Sequence, residues 1–266
     1  MSNDPIFTTP AGLPRLLDLM RRLRDPDTGC PWDIDQTFAT IAPYTIEEAY
    51  EVADAIENGS IDDLKGELGD LLLQVVFHAQ IAQDQGDFTF HDVAEAIAQK
   101  MIDRHPHVFG DAADRSAGAQ SAAWEDQKAA ERADKGEART LDGVALGLPA
   151  LLRAHKLQKR LARVGFDWDN TDDVIAKIAE EAGELAQARD HLTADDIEDE
   201  MGDLLFALAN LARHLGVEPE AALRRTNAKV TARFAAVEDA LAAAGRHPAD
   251  ATLGEMEALW QAAKRR

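Results

Sequence analysis

Two acidic phrases 133 residues apart constrain this chain more than anything else in it. The first is Glu47-Glu48-Ala49-Tyr50-Glu51, followed by Glu67-Leu68-Gly69-Asp70. The second is Glu180-Glu181-Ala182-Gly183-Glu184, followed by Glu200-Met201-Gly202-Asp203. Glu47, Glu51, Glu67 and Asp70 fall on Glu180, Glu184, Glu200 and Asp203 at one offset, with no insertion between the parts. The flanks answer each other as well: Trp32-Asp33 and Trp168-Asp169, Lys100 and Arg104 with Lys229 and Arg233, Trp124 and Lys128 with Trp260 and Lys264. Self-similarity on this scale marks a duplication, and each half is near the usual size of a domain. The expected organisation is one unit over residues 1–133, a linker over 134–147 and a second unit over 148–266.

The apolar residues recur at helical spacing, as in Leu16, Leu17, Leu19, Met20 and Leu23. The pattern predicts helices at 13–24, 46–58, 60–84, 90–104 and 124–133, then at 150–163, 171–190, 193–215, 218–244 and 252–264. Thr45 with Glu48 three residues on is the predicted cap of the second helix. Gly29 to Asp33 and Gly165 to Asp169 are predicted turns, and 110–121 is a polar loop. No segment alternates with the period of a strand. The expectation is an all-α chain of two tandem helical bundles with antiparallel neighbours.

Residues three and four apart share a helix face. Glu181 with Glu184, and Glu200 with Asp203, therefore present four carboxylates on two consecutive helices. Carboxylates gathered so closely repel unless something neutralises them. A hard dication does so, and oxygen-only ligands favour Mg2+, with Mn2+ as its substitute, over Zn2+. A solvated acidic face is the plain alternative. Against it stand the duplication and the leucines Leu204, Leu205, Leu208 and Leu211, which predict a buried side for the second helix. Gly69 and Gly202 sit at matching places inside helices, where glycine costs about 1 kcal/mol. They predict close approach of a neighbour. A di-iron bundle needs Glu-x-x-His motifs, and none of the 8 histidines has a glutamate three residues before it.

The excess of 49 acidic over 28 basic residues gives a formal charge of −21 and argues against nucleic acid as a partner. Cys30 is the single cysteine, so no intrachain disulfide exists and a reducing, cytoplasmic setting is expected. The first residues lack the features of a signal peptide. The apolar runs are too short to span a bilayer, so no membrane partner is expected.

The doubled phrase E-E-x-x-E followed by E-x-G-D resembles the MazG family of nucleoside triphosphate pyrophosphohydrolases. The resemblance extends from Leu16 to Lys264 and includes Gly29-Cys30-Pro31-Trp32-Asp33, Arg104-His105-Pro106-His107-Val108-Phe109 and Val164-Gly165-Phe166-Asp167-Trp168. It implies hydrolysis of a nucleoside triphosphate between its α and β phosphates, a need for Mg2+, a helical fold that forms homodimers, and a role in clearing unwanted nucleotides or adjusting nucleotide pools. By position it implies Glu181, Glu184, Glu200 and Asp203 as metal ligands and Glu180 as the group that positions or deprotonates water. Lys177, Asp203, Lys229, Arg233 and Trp260 become the substrate contacts.

The first half carries the same acids, Glu48, Glu51, Glu67 and Asp70, but has Tyr44 where the second has Lys177. Losing a phosphate-facing cation weakens a triphosphate site, so catalysis is expected in the second half. Asp196 stands where some relatives have a basic residue, which puts one substrate contact in doubt. Two alternatives stay open: a narrower substrate such as dUTP or a phosphoribosyl nucleotide, and an acidic regulatory module that binds a protein partner without turnover. His105-Pro106-His107 is expected to be a helix-end turn rather than a metal pair, and Cys30 a structural residue.

Overall fold

The computed structural model describes residues 4–110 and 139–264, and among them every regular element is a helix. The helix expected at 124–133 lies outside the described residues, as does the loop expected at 110–121 beyond Gly110. The chain divides into two compact units, Met1–Gln127 and Lys128–Arg266. No helix among the described residues is long and apolar enough to cross a membrane.

The first unit contains α1 (Leu13–Leu23), α2 (Pro31–Asp35), α3 (Phe38–Asn58), α4 (Ile61–Gln85), α5 (Phe90–Arg104) and the single turn α6 (Pro106–Phe109). Its frame is the hairpin of α3 and α4, which pack along their length across a two-residue connection. Ser60 caps α4: its hydroxyl accepts from the Asp63 amide at 3.2 Å, and the Asp63 carboxylate accepts from the Ser60 amide at 2.7 Å. Gly86 ends the same helix with φ +81°, a left-handed conformation that suits glycine. The core joins Met20 of α1, Ile41 of α3 and Val76, Phe77 and Ile81 of α4.

Two predicted details of this unit are corrected. Pro31 starts the short helix α2 where a turn was expected, as a first-turn proline allows. More importantly, α3 starts eight residues before the predicted Ile46, with Pro43 inside it. Thr37 and Thr40 form its capping box. Proline inside a helix removes one hydrogen bond and crowds the preceding turn. Ile41, 1% exposed, anchors that turn in the core, and burial outweighs the local penalty. Thr45 is therefore a mid-helix residue. Its hydroxyl donates to the Ile41 carbonyl at 3.3 Å and pairs with His78 Nε2 at 3.0 Å.

The second unit contains α7 (Ala150–Arg163), α8 (Thr171–His191), α9 (Ala194–His214), α10 (Pro219–Ala243) and α11 (Leu253–Ala263). The α8–α9 hairpin repeats the α3–α4 hairpin; α9 also packs on α7, α7 on α10, and α10 on α11. Asp167, in the turn before α8, holds the far end of α9 by pairing with Arg213 and with His214 Nε2, the latter at 3.1 Å. Burial works against that carboxylate, yet the hydrogen bonds from Arg213 and His214 hold it below the ordinary carboxyl range.

The buried side of α9 is not the predicted leucine row. It consists of Ala207, Ala209 and Asn210, while Leu205 and Leu208 stay more than 40% exposed. The first unit repeats this. Val76, Phe77 and Ile81 are buried, whereas Leu68, Leu72 and Val75 are exposed. The two exposed rows, Leu68-Leu72-Val75 and Met201-Leu205-Leu208, are the same positions at the 133-residue offset. The glycines also differ from expectation. Among the described residues, a Cβ at Gly69 or Gly202 would meet nothing within 4 Å, so neither glycine admits a described neighbour at close range.

Candidate active site

The α8–α9 hairpin brings Glu181, Glu184 and Glu200 together, each offering a carboxylate oxygen within 4.8 Å of the others. Glu181 and Glu184 come from one face of α8, and Glu200 from the second turn of α9. Thr193 and Asp196 fix the start of α9 as a capping box, with the Asp196 carboxylate accepting from the Thr193 amide at 2.9 Å and its hydroxyl at 2.6 Å. Asp196 is thus engaged in capping its own helix. Asp203 is exposed and is not one of the gathered three.

The electrostatics of the cluster are uneven. Glu181 is only 6% exposed, and a buried carboxylate needs a partner. Lys177, one turn earlier, supplies it: the ammonium lies 2.8 Å from Glu181 Oε1 and 2.8 Å from Glu180 Oε1. Those two hydrogen bonds raise the Lys177 pKa. The Glu184 carboxyl is pushed up, first by burial and then by the negative charge of Glu181, with Glu200 adding to it and Lys177 opposing it. One cation therefore does not neutralise the cluster. The donor set fits a hard dication: the ligand atoms are all oxygens, they are mutually close, and they carry unbalanced negative charge.

The first unit gathers a related but different trio, Glu48, Glu67 and Asp70, again within 4.8 Å. Glu48 is pushed up by burial and then by Glu51, Asp70 and Glu67; Glu67 by burial and then by Glu51 and Asp70. Tyr44 occupies the place of Lys177 and turns its ring edge-on to Trp32, with centroids 6.4 Å apart. Polar pairs on the same two helices accompany this trio, and the acidic spacing alone does not announce them. Buried Gln74 donates to Glu48 at 3.5 Å, and His78 pairs with Thr45. The second unit has Ala207, Leu211 and Ile178 at those positions. Gln74 lies one turn beyond Asp70, and that spacing was the available signal.

Lys229, Arg233 and Trp260 form a separate group. Arg233 on α10 lies over the Trp260 ring of α11, 5.8 Å from its centre. Among the described residues, no hydrogen bond or ion pair joins Lys229 or Arg233 to the carboxylates of α8 and α9. His105 behaves as a helix-end residue, its Nδ1 2.6 Å from the Met101 carbonyl oxygen.

Comparison with known proteins accounts for the duplicated hairpins. The model of the MazG nucleotide pyrophosphohydrolase domain matches this chain twice, over residues 36–109 and 170–237. Each match contains one complete acidic hairpin. The chain belongs to the MazG family. It is 52% identical over 253 residues to the nucleoside triphosphate pyrophosphohydrolase of Escherichia coli, covering 94% of this chain and 96% of that protein. It is 43% identical over 249 residues to the nucleoside triphosphate pyrophosphohydrolase/pyrophosphatase MazG of Thermotoga maritima, covering 94% of each. The nucleoside triphosphate pyrophosphohydrolase of Mycobacterium tuberculosis is 40% identical over 167 residues, 62% of this chain and 50% of that protein. The MazG match and the two acidic trios are compatible with a divalent metal.

Proposed function

We propose that this chain hydrolyses nucleoside triphosphates to a nucleoside monophosphate and pyrophosphate, and that the α8–α9 cluster is the centre where this occurs. The activity named for the relatives matched over nearly their whole length supports the reaction over a binding module without turnover. The observation that carries the assignment to α8–α9 is the trio Glu181, Glu184 and Glu200 with Lys177 attached, which the first unit lacks.

In this reading Glu181, Glu184 and Glu200 hold a divalent cation, Mg2+ or Mn2+, with Asp203 one turn further along α9 as a further ligand or substrate contact. When bound, that ion supplies Lewis-acid stabilisation of the phosphate oxygens. The chain's own groups supply the rest. Glu180 is more than half exposed and, among the described residues, is paired with Lys177 alone, which leaves it able to orient a water or accept its proton. Lys177 gives the triphosphate a positive partner beside the acidic cluster. Lys229 and Arg233, one turn apart on α10, offer two more cations, and Trp260 offers a flat face for a base. The first unit has no cation in the place of Lys177, which supports a structural or regulatory role for Glu48, Glu51, Glu67 and Asp70.

The exposed rows Leu68-Leu72-Val75 and Met201-Leu205-Leu208 support assembly as a homodimer, since exposed apolar stripes on paired helices mark interaction surfaces. The test of the reaction is pyrophosphate release from a panel of NTPs and dNTPs, with Mg2+ and with chelator. Release from triphosphates that stops with chelator is expected. Release of orthophosphate only, or no reaction with any triphosphate, would contradict the assignment.

A further inference from the structure

The Lys177 ammonium is paired with both Glu180 and Glu181 on its own helix. We propose that Lys177 is a resident counterion of the α8–α9 cluster, so that tight entry of a dication depends on a triphosphate drawing the ammonium away. The inference rests on the metal-site reading given above.

Glu181 is the most buried of the three gathered carboxylates, with a side chain 7% exposed, and Lys177 occupies its Oε1 at 2.8 Å. The same ammonium holds Glu180 at 2.8 Å, so it sits between the metal cluster and the water-orienting carboxylate. A dication seated among Glu181, Glu184 and Glu200 would share Glu181 with this ammonium, and like charges at such range oppose each other. Lys177 has a long stem and a side chain that is 32% exposed, so it can leave without unpacking the hairpin. A triphosphate offers the ammonium several anionic oxygens and returns Glu181 to the cation. Metal and triphosphate then strengthen each other's binding by the same factor, as linkage requires. The first unit is the internal contrast. Tyr44 replaces the lysine there, and among the described residues no ammonium is paired with Glu48, Glu67 or Asp70.

The experiment measures Mn2+ binding by electron paramagnetic resonance in the full chain carrying Glu48→Gln and Glu67→Gln, which silences the first trio. Binding is measured alone and with an α,β-methylene triphosphate. In this background the triphosphate is expected to tighten Mn2+ binding about tenfold or more. Adding Lys177→Met is expected to tighten Mn2+ alone about tenfold and to shrink the triphosphate effect below about threefold. Lys177→Arg is expected to keep the weak metal-only binding. A second readout is thermal unfolding: Lys177→Met, which leaves buried Glu181 unpaired, should melt lower than its parent in chelator and recover with Mn2+. Unchanged or weaker Mn2+ binding in Lys177→Met, with no recovery on melting, would overturn the counterion. Adding Glu181→Gln instead separates the two levels of the reading. If it leaves Mn2+ binding intact, the cluster is not the metal site and both readings fall; if it abolishes binding, only the role of Lys177 is at issue.

Discussion

Single residues decide how the two halves of this chain differ. At one position in the repeat the second half has Lys177 bonded to Glu180 and Glu181, and the first has Tyr44 packed against Trp32. The acids themselves were legible in the sequence because a helix repeats its face every three to four residues. Which acids meet was not. Glu184 joins the second trio and Asp70 the first, although each has a counterpart in the other half. That choice depends on side-chain packing, which spacing does not encode. Asp196 stands in the sequence where a basic contact is expected; in the fold it caps α9 with Thr193. Asp167 carries a prediction at this scale. Its carboxyl is held low, so its contribution should be full near neutral pH and fade as pH falls below the ordinary carboxyl value of about 3.9. Asp167→Asn should cost about 1–3 kcal/mol at pH 7, and the gap from wild type should close in acid. Urea unfolding at pH 7 and pH 3 checks this.

The elements show where local rules gave way to packing. Most helix boundaries followed from caps and stops, such as Ser60 at the start of α4 and Gly86 at its end. The start of α3 did not, because Pro43 and the Thr45–Glu48 spacing imitate a beginning that buried Ile41 overrides. The glycine positions mislead for a similar reason. Sequence shows that Gly202 costs helix stability but not what lies beside it, and among the described residues nothing lies within 4 Å of a Cβ there. Gly202→Ala is expected to raise stability by about 0.5–1 kcal/mol, read as a higher melting temperature. A loss instead would mean that a partner chain packs against that glycine. The leucine rows carried the correct helical period, yet period alone does not distinguish a core from an interface. Leu205 and Leu208 lie on the exposed side of α9.

At the scale of the whole molecule, the duplication is visible in the sequence, in the two compact units and in the two matches to the MazG domain. The two units present the same exposed apolar rows, and dimer formation should depend on them. Light scattering should show a dimer for the wild type and a shift toward monomer for Leu205→Asp combined with Leu208→Asp; a wild-type monomer would remove the dimer from the account. The central claim is that one of two similar acidic hairpins does the chemistry. Pyrophosphate release with Mg2+, compared for wild type, Glu184→Ala and Glu51→Ala, tests it most directly. Glu184→Ala is expected to abolish turnover and Glu51→Ala to retain most of it. Equal loss in both variants would contradict the claim.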